Sequence, residues 1–481
     1  MSSIDDVATE RSSVFHLFSR PVLAATLMLG GGVTLYAVEA YIMATIAPSI
    51  VRDIGGLELL SWVTTLFVAA AVLGSIFVAM RPRGIGLRTV YVAGALMFAA
   101  GSLICALAPS MQVILAGRAV QGFGAGALGG LAYAFIRFAY PEHLWRKAST
   151  LYAAIWGVAT LLGPSLGGLF SDGSTWRHAF MLLVPVSVLM AVLAPVLLPS
   201  AHDDRAPGRT PITQIALLLA AVLLVSIAGT IEATQSKALL VAASLIAVVA
   251  MLGIERRSEN RLLPTGAVSL SMPISRVYLM MFLLILVLTS DIYIPYFLQS
   301  LHSVSPLESG YLTALVALGW TVAAFLSASF SGRRAGRAIV IGCVIETVAV
   351  AALAIFLARD NQAGSIALLA PAVVFMFLMG FGVGLGWAHL VTKVLRLVAT
   401  SEQDKASAAI TTVQSLGSAF GAAFAGVIVN STGLLAPGGV TGGISAAHWL
   451  FVLMALPGIV TIVISLSIRK SGNETQATAA A

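Results

Sequence analysis

Four ionisable residues stand deep inside long apolar runs of this chain and define the chemistry open to it: Glu39, Arg118, Asp291 and Glu346. An arginine in hydrocarbon costs roughly 2.5 to 3.5 kcal/mol on insertion scales, so some partner must offset it. At 1.5 Å per helical residue, Glu39 lies roughly 12 Å, and Arg118 and Asp291 each roughly 10 Å, from the same edge of their runs. Arg118 therefore has two acidic candidates at its own depth, whereas Glu346 lies near the middle of its run with no evident mate. A carboxylate that alternately pairs with an arginine and takes up a proton couples proton movement to conformation, because desolvation and a neighbouring cation act oppositely on its charged form. A permanent buried ion pair that only fixes packing is the plainer alternative for the same residues.

The elements that must carry these charges are membrane spans. Hydrophobic residues make up 59% of the 481 and charged residues only 10%, against roughly 25% charged in soluble domains. Runs of about 20 apolar residues, enough to cross ~30 Å of hydrocarbon, fall at 21–47, 61–80, 88–107, 111–137, 148–171, 176–198, 213–231, 238–254, 276–298, 308–329, 337–357, 366–391, 406–429 and 446–468. Fourteen spans place both termini on one side. Apart from Arg118, 22 of the 27 Lys and Arg residues then lie on the terminal side and four, Arg52, Arg177, Lys237 and Arg359, on the other. That asymmetry is the positive-inside rule, which makes the termini cytoplasmic. It also accounts for the net charge of +7 without nucleic acid. The first span lacks a cleavable leader's basic start and cleavage site.

The chain repeats itself. Gly122-Phe-Gly-Ala-Gly-Ala-Leu-Gly in the fourth span answers to Gly380-Phe-Gly-Val-Gly-Leu-Gly in the twelfth, and Leu162-Gly-Pro-Ser-Leu-Gly-Gly168 compares weakly with Leu416-Gly-Ser-Ala-Phe-Gly421. Pairing spans 1–6 with 9–14 is the internal symmetry common in secondary transporters, and it leaves two spans inserted. The expected layout is a tail over 1–20, a six-helix bundle over 21–200, a linker with two extra helices over 201–275, a second six-helix bundle over 276–468 and a tail over 469–481. Gly163 and Gly167, four apart on one helix face, permit close backbone approach, and Pro164 permits a kink. The Gly-x-Gly run after Arg118 lacks the preceding strand that a dinucleotide-binding turn needs.

Tyr36, Tyr41, Trp156, Tyr293 and Trp320 are candidates to line a cavity for flat or cationic compounds, with Trp62 beside them; a place in the lipid interface is the commoner role for any single one. His389 reads as a packed, hydrogen-bonded histidine and Glu232 as a solvated span end. Cys105 and Cys343 read as small packed side chains. No spacing suggests a metal site, and no cluster suggests an enzyme.

On these residues the chain resembles the major facilitator superfamily, specifically its fourteen-span drug:proton antiporter family. Arg118-Ala-Val-Gln-Gly-Phe-Gly is similar to that family's span-4 signature, here Arg118, Gln121, Gly122 and Gly124. Gly157 with Gly163, Pro164, Gly167 and Gly168 is similar to the span-5 signature typical of antiporters. Val38-Glu-Ala-Tyr-Ile-Met-Ala-Thr-Ile-Ala-Pro48 resembles the span-1 signature, with Glu39 where the family usually has aspartate, and Trp176-Arg177 opening span 6 is also familiar. The loop between spans 2 and 3 departs from the family pattern: Gly86 and Arg88 align, but Arg83 stands where the pattern has aspartate, which implies altered gating. The resemblance implies an all-α, monomeric, multi-pass inner-membrane exporter of amphipathic or drug-like compounds, driven by the proton gradient without a cofactor. Its partners are a small-molecule substrate, protons and the lipid bilayer, with Glu39, Arg118, Asp291 and Glu346 as proton-coupling candidates. An exporter of a specific metabolite, lipid or siderophore fits the residues as well; a uniporter on the same fold is the other alternative, and the span-5 Gly-Pro signature argues against it.

Overall fold

The structure, a computed structural model, describes residues 17, 20–80, 85–141, 144–171, 175–198, 211–269, 271–399 and 402–478. Among them are fifteen α-helices: α1 (Arg20–Ile54), α2 (Leu60–Met80), α3 (Leu87–Ala106), α4 (Met111–Ala139), α5 (Trp145–Leu169), α6 (Trp176–Leu197), α7 (Ile212–Thr230), α8 (Thr234–Arg257), α9 (Pro273–Leu288), α10 (Ile294–His302), α11 (Pro306–Ser327), α12 (Gly332–Phe356), α13 (Ile366–Leu397), α14 (Gln403–Ser431) and α15 (Gly439–Thr478). A 3-10 turn, Thr289–Tyr293, joins α9 to α10, so the helices form fourteen spanning units. Twelve units are long and apolar enough to cross a bilayer by themselves. The remaining two are α4, with Arg118 and its glycine run, and α5, whose described apolar stretch is Val158–Leu169.

Only helices or closed barrels satisfy every backbone polar group in hydrocarbon, and many hydroxyl side chains here are satisfied in the same way. Thr34, Thr45, Thr65, Ser102, Ser187, Thr289 and Thr347 each donate to the carbonyl four residues earlier, satisfying themselves within their own helix. The reversal from α1 to α2 is made by Gly55 and Gly56 at φ 73° and 81°, a left-handed region open to glycine without steric cost. A capping box, Ser305 with Glu308, and Pro306 in the first turn start α11, satisfying amides that the helix cannot pair itself.

The two halves are built alike. In the first, α4 packs against α2 and α3, α1 against α5, and α3 against α6; in the second, α13 packs against α11 and α12, α9 against α14, and α12 against α15. Small residues set these contacts, as expected where lipid tails remove the hydrophobic drive between helices. A side chain at Gly122 would strike the Phe67 carbonyl and one at Gly126 that of Ala71; Gly380 and Gly384 stand likewise against Val316 and Trp320. Gly163 and Gly167 lie against Tyr41 and Thr45 of α1, while Gly417 lies against Ile285 of α9 and Gly421 against Leu286 of α9 and Thr289 just after it. The weak resemblance between the span-5 and span-13 segments is thus a matched pair of contacts in space.

The two main seams between the halves are α5 with α11 and α2 with α14, and the repeat relates one to the other. The inserted α7 lies against α14 and α2, and α8 packs on α7. Because a side chain at Gly380 would meet rigid backbone, Gly380→Val should lower stability by about 1–3 kcal/mol or more. Gly336→Ala, with open space around it, should stay within about 0.5 kcal/mol. Thermal unfolding of the purified variants in detergent checks both.

Candidate functional site

Arg118 lies on α4, 2% exposed, and its donors are distributed over three neighbours. Its Nη1 donates to Glu39 Oε1 on α1 and to Gln121 Oε1 at 2.6 Å. Its Nε donates to the Val63 carbonyl on α2 at 3.2 Å, and its Cζ lies 4.0 Å from the centre of the Phe67 ring. Gln121 is held in turn, its Nε2 donating to Ser102 Oγ on α3 at 2.9 Å. Four helices thus orient one guanidinium. Glu39 is fully buried, and its second oxygen, Oε2, has no hydrogen-bond partner among the described residues. A charge-assisted pair in such surroundings is tightly held, and the free oxygen is the place where a proton could add.

The guanidinium opens on a cavity of about 320 Å³ between the halves. The first half contributes Tyr36, Tyr41, Thr64, Phe67 and Arg118; the second contributes Thr289, Asp291, Thr313, Trp320, Gln414 and Ser418, with aliphatic residues between. Apolar walls with a few convergent polar groups are the usual form of a small-molecule site. Glu39 lies behind Arg118 and does not line the cavity.

Asp291 reaches the cavity through a local break. Pro295, at the start of α10, has no N–H to bond the Asp291 carbonyl four residues back, and its ring crowds that carbonyl. The chain tightens into the 3-10 turn, in which the Ile294 amide bonds Asp291 O instead. Asp291 is half-buried in the cavity wall, and among the described residues Arg118 is paired with Glu39 and not with Asp291.

The other candidates fall in several places. Tyr36, Tyr41 and Trp320 line the cavity. Tyr293, expected there, is instead fully buried against Phe297 at 6.1 Å between ring centres, because the 3-10 turn directs it into the packing between halves. Glu346 lies in α12, fully buried, with neither oxygen partnered among the described residues and away from the cavity lining. Trp156 and Gly157 fall on α5, but the surroundings of both lie outside what is described, as does Arg83 entirely. Arg88 donates to the Leu198 carbonyl, tying α3 to the end of α6.

The span-5 glycines act at the seam. A side chain at Gly168 would strike Leu307 of α11, and one at Gly310 of α11 would meet Pro164 at 2.9 Å. At the second seam a side chain at Gly426 of α14 would meet Ser61 of α2. All of these contacts lie toward the face opposite the termini, the distal face. Sequence reading missed Asp53, which ends α1 there and accepts from Trp176 Nε1 at 3.0 Å and Arg177 Nη1 at 2.5 Å. The Trp-Arg pair opening α6 was the available signal. It also missed Ser102 and Gln414, small polar residues with no pattern to mark them.

A family model for the Major Facilitator Superfamily matches residues 27–422 and 277–481. The chain belongs to that superfamily. A "probable multidrug-efflux transporter" of Mycobacterium tuberculosis strain H37Rv is 35% identical over 466 residues, covering 95% of this chain and 97% of the relative. The multidrug transporter protein MdtP of Bacillus subtilis is 24% identical over 82% of this chain and 73% of its own. Among solved structures, a bacterial homologue of the human lysosomal transporter Spinster, inward-facing and unoccupied, superposes with TM-score 0.66 at 15% identity, covering 95% of this chain and 98% of the other. A D-xylose–proton symporter superposes at 0.64 and 13% identity, with 93% and 97% covered. These likenesses establish the two-bundle transporter fold. The protein is a multi-pass membrane transporter of small molecules and not an enzyme.

Removing Glu39 while keeping Arg118 strands a buried charge, so Glu39→Leu should lower stability by about 3–5 kcal/mol. Glu346→Leu removes a buried, unpartnered polar group and should be neutral or stabilising by about 1 kcal/mol. Unfolding curves of the two variants in detergent test the contrast.

Proposed function

We propose that this transporter exports amphipathic or drug-like compounds in exchange for protons, by alternating access of the central cavity to the two sides of the inner membrane. The observation that carries the reading is the buried Arg118–Glu39 pair at the cavity wall, with one carboxylate oxygen free. The multidrug-efflux names of its relatives supply the direction and the class of cargo. In this reading the termini are cytoplasmic, the distal face is the outer one and the protein acts as a monomer.

The coupling follows from charge. A proton added at Glu39 Oε2 neutralises the carboxylate and leaves Arg118 without its counter-charge. The guanidinium remains held by Val63 and Gln121, yet it now faces the cavity as an uncompensated cation. Asp291, on the opposite wall, is then the carboxylate available to it. Pairing across the cavity would draw the halves together around Arg118 and loosen the hold on a bound compound. Loss of the proton restores the pair with Glu39 and frees Asp291 for the next cargo. Glu346 is the third proton candidate, at a site apart from the cavity.

In proteoliposomes, Glu39→Gln should abolish substrate-dependent proton movement, read with an entrapped pH dye, while the protein still inserts. Full pH-driven transport by that variant would overturn the role, and counterflow without proton movement by the parent would identify a uniporter. Asp291→Asn should reduce export of cationic compounds at least about tenfold, the effect of a lost charge contact of ~1.4 kcal/mol, and leave neutral compounds less affected. Accumulation assays in cells with and without an uncoupler measure that difference.

A further inference from the structure

The repeat makes the two seams between the halves equivalent, yet the molecule treats them differently. At the α5–α11 seam the helices meet each other directly, with Gly168 against Leu307 and Ser165 hydroxyl bonded to Tyr311. At the α2–α14 seam a third helix, the inserted α7, lies across the joint and is bonded to both sides. Trp62 Nε1 of α2 donates to the Ser226 carbonyl of α7 at 3.1 Å. Asn430 Nδ2 of α14 donates to the Gly229 carbonyl of α7 at 3.0 Å and to the Glu58 carbonyl, just before α2, at 2.8 Å. Lys237, at the start of α8, donates to Ser431 Oγ at 2.5 Å. Backbone approach supports these bonds, since a side chain at Gly229 would stand 3.2 Å from the Val427 amide.

The Gly229 carbonyl lies in the last turn of α7, where a helix leaves its carbonyls without an amide four residues on, and the Ser226 carbonyl one turn earlier takes the indole N–H as a further donor. An indole N–H and an amide that satisfy them cannot be withdrawn into hydrocarbon without cost. We propose that α7 and Asn430 form a clasp that holds the α2–α14 seam closed on the distal face, and that its bonds to the first half, Trp62 to Ser226 and Asn430 to Glu58, are the ones that break when that face opens. The assignment of the breaking side follows from packing: α7 lies chiefly along α14 and only lightly against α2, so it moves with the second half. α2 is also the helix whose Val63 carbonyl and Phe67 ring hold Arg118. The clasp therefore acts on the same helix that holds Arg118, and Trp62 is the residue next to Val63 in the chain. It gives the inserted pair a function: a bias toward the distal-closed state. The proposal rests on the alternating-access reading.

The test is a distance measurement across the distal face, by double electron–electron resonance in nanodiscs, between spin labels at Leu107→Cys and Ala363→Cys, which sit at exposed positions in the first and second halves. Trp62→Phe and Asn430→Ala, each removing clasp bonds with little change in bulk, should raise the ratio of long-distance to short-distance population about fivefold, as expected for one lost hydrogen bond. Gly426→Ala, which places a methyl group against Ser61, should shift it the same way by steric means. A wider distance in Gly426→Ala with parent-like distributions in the two clasp variants would overturn the clasp and leave alternating access standing. A single unmoved distance in all four proteins would overturn both.

Discussion

A guanidinium keeps its charge under any condition a cell offers, and in a molecule surrounded by hydrocarbon that fact organises everything near it. Arg118 can be buried only because α1 supplies a carboxylate, α2 a carbonyl and a ring face, and α3 a serine that steadies Gln121. Helices that have to serve one side chain cannot drift relative to one another. The first half is thereby made rigid around a charge whose compensation can be altered by a single proton.

The second half has the same skeleton without that charge. The glycine contacts of α4 with α2 and α3 recur in α13 with α11 and α12, so the repeat is carried by backbone approach. In the matching register Arg118 and Gln121 correspond to Met376 and Met379, which are fully buried and apolar. The repeat is therefore mechanical in both halves and ionic in one. Asp291 belongs to a different device, a helix interrupted by Pro295, which is how membrane helices commonly present a polar group to a cavity.

Packing of α7 along one seam adds a second asymmetry. Helix pairs inserted between two bundles need only be apolar enough to sit in lipid, and α8 is largely exposed, with Lys237 at its start bonded to Ser431 of α14. The carbonyls of α7 are instead drawn into hydrogen bonds with α2 and α14, and a helix bonded to both sides of a moving joint affects the joint.

Much of this was legible in the amino-acid sequence. The fourteen spans follow from the length of apolar runs against the thickness of hydrocarbon. The two-bundle symmetry follows from repeated glycine patterns, and the superfamily from signatures around Arg118 and Gly163. Depth counting narrowed the partner of Arg118 to Glu39 or Asp291, because rise per residue is a property of the helix alone. The choice between them was a tertiary matter: it depends on which helix is rotated toward α4, and periodicity in a helix apolar on nearly all sides carries no such information. The same limit explains Tyr293, whose direction was decided by the 3-10 turn, and Asn430, one polar residue near a span end whose two acceptors lie 201 and 372 positions away in the chain. Local physics specifies each span; only packing specifies which faces meet.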